Sequence, residues 1–108
     1  QFDAMRVATL VSSVVQIVTH STSISFRQED LGFSRFVSHL QYFAERLFTG
    51  HLLVSDDDFL YTQLSTRYPD AMRAAERVRE FVYREHEASL PNEEVAYLAL
   101  HIARNSKE

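Results

Sequence analysis

A chain of 108 residues with 45% hydrophobic and 24% charged side chains can fill one ordinary core but not two, so residues 1–108 are read as a single domain. The net charge of −4 and the scattering of 11 basic residues exclude the positive footprint of a direct nucleic-acid binder. Having no cysteine excludes disulfides, thiolate metal sites and thiol nucleophiles, and no run reaches the length of a membrane span.

The expectation is therefore a soluble, cytoplasmic protein with no membrane partner. Gln1 stands where a complete product would begin with methionine, so a longer parent protein is also expected. Only two glycines and two prolines punctuate the chain, too few for the tight turns of a sandwich or barrel.

In chain order, Val7, Leu10, Val11, Val14 and Val18 recur at steps of three and four and predict a helix ending near His20. "HSTSIS" favours a break, and "FRQEDLG" reads as an irregular approach to the next element. From about Leu31 to Phe48, the positions Phe33, Phe36, Val37, Leu40, Phe43, Ala44 and Leu47 form a second stripe, with Gly50 as its stop. Ser55 and Asp58 have the layout of a capping box for a short third helix running to about Arg67.

Pro69 suits the first turn of a fourth helix. There Met72, Ala75, Val78 and Val82 face inward, while Arg73, Glu76, Arg77, Glu80 and Arg84 face water, with Glu80 and Arg84 spaced for an ion pair. "LPNEE" opens the last helix, with Pro91 in its first turn, Glu93 and Glu94 at the dipole's positive end, and Val95, Leu98, Ala99 and Ile102 inward. The fold class that follows is all-α, a five-helix bundle with antiparallel helix pairs.

Beside two of the core stripes runs a second line of residues. On the second helix it is Arg35, His39, Tyr42 and Arg46; on the last it is Glu94, Tyr97, His101 and Arg104. Each line lies within about 50° of one helical direction. If the helices pack antiparallel with His39 beside His101, seven residues forward on one matches seven back on the other, and Arg46 meets Glu94.

An imidazole near its ordinary pKa of about 6.5 is mostly neutral at cytoplasmic pH and offers a ring nitrogen to a phosphoryl group. Arg35, Arg46 or Arg104 could compensate the added charge and the tyrosine hydroxyls could donate to it, whereas Glu94 would repel it. On spacing alone, such a histidine is most often a hydrogen-bonded boundary residue. The "SDDDF" cluster lacks the ligand alternation of a calcium loop, and neither HExxH nor another helical metal pattern occurs, so no metal or cofactor is expected. No nucleophile elbow, phosphate loop or carboxylate pair suggests an enzyme.

The runs "RFVSHLQYFAERLFTG", "DDFLYTQLSTRYPDAM" and "LPNEEVAYLALHIAR" resemble the PTS regulation domain of bacterial transcription antiterminators of the BglG type. The likeness spans roughly Arg35 to the end and is nearest the second of the two copies those proteins carry. It implies that His39 and His101 are the phosphorylation sites, supported by charged positions at Arg46 and Glu94. His20, His51 and His86 match no motif of the family, and Ser38 stands where threonine or aspartate is commoner.

The resemblance further implies a homodimer, with phosphoryl groups supplied by the phosphocarrier HPr of the sugar phosphotransferase system and in some copies by a sugar-specific enzyme II component. RNA would be bound only by a separate N-terminal domain absent here. Two alternatives stay open: a copy from a DNA-binding activator, and a constitutive helical dimerisation module without phosphoryl chemistry.

Overall fold

The computed structural model describes residues 3–21 and 31–106, and these form α1 (Ala4–Ser21), α2 (Leu31–Thr49), α3 (Phe59–Arg67), α4 (Pro69–His86) and α5 (Asn92–Arg104), with no strand among them. The expected break in "HSTSIS" and "FRQEDLG" falls mostly in residues 22–30, outside the described residues; its flanks belong to α1 and α2.

All five apolar positions expected on α1 are buried, and Asp3 Oδ1 caps the helix by accepting the N–H groups of Met5 at 3.0 Å and Arg6 at 3.4 Å. On α2 the buried residues are Phe36, Leu40, Phe43 and Ala44, while Val37 and Leu47 pack at the core margin. α4 and α5 pack together most extensively. Ala71, Ala74 and Ala75 on one helix and Ala96 and Ala99 on the other are all buried, and such small residues let helix axes approach closely.

α2 ends as expected. Gly50 has φ +75°, the His51 N–H donates to the Arg46 carbonyl at 2.8 Å, and the Gly50 N–H donates to Leu47 at 3.4 Å, the pattern of a Schellman cap. That turn redirects the chain into residues 51–58, which run back along the start of α5.

Four sequence expectations are corrected. Ser55 does not cap α3, because its Oγ accepts the Asp57 N–H at 3.4 Å; Asp57 Oδ1 takes the Phe59 N–H at 3.0 Å, and the helix starts at Phe59 behind Asp58. Two successive side-chain turns have absorbed the donors that a capping box would have used. Pro91 sits at the N-cap of α5, just ahead of its first turn, with its carbonyl accepting from Glu94 and Val95.

Glu76 is not simply solvated: it accepts a short hydrogen bond from the Tyr61 hydroxyl and lies 3.0 Å from Arg79 Nε, which is ion-paired without hydrogen-bond alignment. Glu76 thereby raises the Tyr61 pKa. Arg84 Nε lies 4.0 Å from Glu85, and the Glu80–Arg84 pair is not formed.

Arg79 Nη2 also donates to Asn92 Oδ1 at 2.6 Å, and Asn92 Nδ2 donates to Asp58 Oδ1 at 3.2 Å. This polar chain ties α3, α4 and the beginning of α5 together, and so fixes where Glu94, two residues further on, enters the interior.

Candidate functional site

The α2 and α5 stripes face each other. Arg46 Nε and Nη2 donate to the two carboxylate oxygens of Glu94, each at 2.8 Å, in a side-on bidentate pair. Glu94 is 0% exposed, and its Oε2 also accepts the backbone N–H of Leu53 at 2.8 Å, so three donors hold the buried charge. The pairing holds Arg46 above its ordinary pKa, with the hydrogen bond to Glu94 as the largest cause.

Two turns away, the His39 and His101 rings stack with centroids 3.7 Å apart and planes 16° from parallel. Since increasing numbers on α2 meet decreasing numbers on α5, the two helices are antiparallel. A third contact completes the pairing near their opposite ends. Asn105 Nδ2 donates to the His101 carbonyl at 2.9 Å, and its Oδ1 lies where a Cβ on Gly32 would come within 2.6 Å. Glycine at the start of α2 therefore admits the end of α5.

A cleft of about 370 Å³ opens between these helices and the chain at Leu53. It is lined by His39, Tyr42, Arg46, Glu94, Tyr97, His101 and Arg104, with Leu40, Phe43, Leu98 and Leu100 supplying apolar wall. Of the eight residues singled out from the sequence, only Arg35 is outside this lining, although its charge acts on His39.

The tyrosines stand at the rim, Tyr42 60% exposed and Tyr97 37%, and among the described residues neither hydroxyl bonds to a ring. Sequence reasoning missed the Leu53 N–H. Its one visible signal was Gly50, which turns the chain toward α5. His51 is exposed with Nδ1 3.0 Å from Thr49 Oγ1, and His86 meets Phe48 and Phe81 edge-on, so neither belongs to the cleft; nor does His20, at the end of α1.

Burial is the main cause that lowers both imidazoles, since a charged ring loses hydration there. His39 is lowered further by Arg104, Arg35 and Arg46. His101 is brought down to about 4 by burial, His39, Arg104 and Arg46. Near neutral pH both rings are therefore uncharged, each with one ring nitrogen unprotonated, beside guanidinium groups suited to an anion. Among the described residues no group of histidines and carboxylates could hold a metal ion, and no helix is long and apolar enough to cross a membrane.

The chain belongs to the PRD domain family, whose model matches residues 12–105 and so covers both histidines and the buried ion pair. It is similar to "Transcription antiterminator LicT" of Bacillus subtilis (strain 168), 34% identical over 104 residues that make up 96% of this chain and 38% of that protein. The "Beta-glucoside operon antiterminator" of Dickeya chrysanthemi is 27% identical over 106 residues, 98% of this chain and 38% of its own length. "Protein GlcT" of Staphylococcus epidermidis is 26% identical over 93 residues, 86% of this chain and 33% of its own. The chain thus spans well under half of the relatives it matches.

Two outcomes follow from the geometry. In an NMR titration, the His101 ring should show a midpoint near 4 and His39 one below 6.5. Between 6.5 and about 4 the unfolded chain binds the proton that folded His101 refuses, so stability should fall as pH drops through that window. Urea unfolding should show a shallower fall in His101→Asn; midpoints at or above 6.5 for both rings would contradict the stacked arrangement.

Arg46→Met should cost about 3 kcal/mol in urea unfolding, because it strands a buried carboxylate, whereas Arg46→Met with Glu94→Met should recover most of that. A single-variant loss below about 1 kcal/mol would show that Glu94 does not depend on Arg46.

Proposed function

We propose that this chain is one phosphorylation-controlled regulatory and dimerisation module of a bacterial transcription antiterminator, with His39 and His101 as its phosphoryl acceptors. The observation that carries the reading is a pair of stacked imidazoles in one cleft flanked by Arg46 and Arg104. The names of the first two relatives favour antitermination over a DNA-binding activator.

The donor is the phosphocarrier HPr, with a sugar-specific enzyme II component as a second source in some settings. The lone pair of the unprotonated ring nitrogen attacks phosphorus. As the new N–P bond forms, the donor's N–P bond breaks and its electron pair returns to the donor imidazole. The proton on the acceptor's other nitrogen stays in place, so no auxiliary base is needed.

The phosphoryl group carries close to two negative charges and three acceptor oxygens, offset by one positive charge on the ring that keeps its proton; Arg46, Arg104 and Arg35 can bind the group and Glu94 repels it. Tyr42 and Tyr97, exposed at the rim, are placed to donate to those oxygens or to meet a second copy. RNA binding belongs to a separate N-terminal domain, in keeping with the charge of −4 here. The module itself is a phosphoryl-accepting regulator, not an enzyme.

Incubation with phosphoenolpyruvate, enzyme I and HPr should place acid-labile, base-stable phosphate on the chain, and His39→Ala with His101→Ala should abolish it. Undiminished labelling of that double variant would move the acceptor role to His20, His51 or His86. By light scattering, His39→Asp or His101→Asp should shift the monomer–dimer balance, partially because one carboxylate supplies only part of a phosphoryl group's charge. Identical association of wild type and both variants would remove the dimer control.

A further inference from the structure

The strap at residues 51–58 gives the cleft one of its walls through Leu53, yet it has no helix or strand to hold its shape. Val54, Ser55, Asp56 and Asp57 are exposed, and their hydrogen bonds among the described residues stay within the strap or reach the first residue of α3. Two hydrogen bonds cross from the strap to α5. The Leu53 N–H donates to Glu94 at 2.8 Å, and the Asp58 carboxylate accepts from Asn92 at 3.2 Å. The strap is thus pinned near both ends to the opening turn of one helix.

The second pin works only one way round. An ionised Asp58 accepts and cannot donate, so it must face the Nδ2 hydrogens of Asn92. Arg79 donates and cannot accept, so its Nη2, 2.6 Å away, must face Oδ1. Turning the amide over would set oxygen against carboxylate and N–H against guanidinium, and both bonds would become repulsions. Arg79 therefore selects the orientation in which Asn92 can hold Asp58. It is itself aimed by Glu76, which lies 3.0 Å from its Nε and is bound in turn by the Tyr61 hydroxyl. None of these five side chains lines the cleft, and α4 contributes no residue to its lining.

We propose that Arg79 is a positioning residue for the cleft: by orienting the Asn92 amide it secures Asp58, and with it the strap that carries Leu53 to Glu94. The inference concerns the wall of the cleft and holds whichever ligand or donor enters beside it. A helix on the far side of α5 thereby governs the shape of a cleft that it does not touch.

Hydrogen exchange of the Leu53 amide, followed by NMR on the 108-residue chain against the core amides of Val14 and Leu40, tests this. Asn92→Asp keeps a partner for Arg79 and suits the positive end of α5, but it sets a second carboxylate against Asp58. Arg79→Met removes the group that orients the amide. In each, Leu53 exchange should quicken about tenfold, and by more than that of Val14 and Leu40. Asp58→Asn combined with Asn92→Asp rebuilds both bonds with amide and carboxylate interchanged, and should return Leu53 to the wild-type rate.

A change of less than about twofold at Leu53 in Asn92→Asp would overturn the proposal, as would failure of the interchanged pair to restore the rate. Equal acceleration of Leu53 and the core amides in Asn92→Asp would overturn it too, because that marks a general loss of stability and not a released strap. Should Arg79→Met unfold, the two Asn92 variants decide the matter by themselves.

Discussion

A carboxylate with no exposed surface must be matched by donors, and in this chain the matching of Glu94 organises everything around it. Arg46 reaches it from α2, and the main chain at Leu53 reaches it from the segment that follows. Apolar packing alone would allow α2 and α5 to slide by a turn at modest cost. The bidentate pair does not, because a slip strands a charge in the interior. With that register fixed, the seven-residue spacing from Arg46 back to His39 and from Glu94 on to His101 leaves the rings in contact.

The same pair shapes the electrostatics of the cleft. Glu94 occupies Nε and Nη2 of Arg46, so the guanidinium is oriented before any ligand arrives and its remaining edge is available to the cleft that it lines. Glu94 also cancels one of the cations near the rings, which keeps the site from being a general anion trap. Burial and the arginines hold both imidazoles in the uncharged form. An unprotonated ring nitrogen and a positive surrounding thus coexist without a second proton on the ring.

Much of this was legible in the sequence, because periodic signals survive without coordinates. The apolar stripes of α1, α4 and α5 are buried where spacing placed them, and the register of His39 with His101 and Arg46 with Glu94 follows from equal spacings on antiparallel helices. What escaped was nonperiodic. Ser55 matched a capping pattern, but neighbouring aspartates offered competing local bonds and α3 began later. Glu76 lies on a charged face by period, yet Tyr61 from α3 partly covers it, which no pattern within α4 could reveal. The Leu53 contact comes from a segment without helical period, and its donor is a group that every residue except proline carries.

That last property bears on how freely residue 53 can vary. Because the amide of the main chain completes the shell around Glu94, the identity of the side chain at this position is decoupled from the ion pair and answers only to the cleft wall. Mutational drift there can reshape the mouth of the cavity, widening or greasing it for a different partner, while the anchored carboxylate and the helix register beneath are left intact; proline alone breaks that independence.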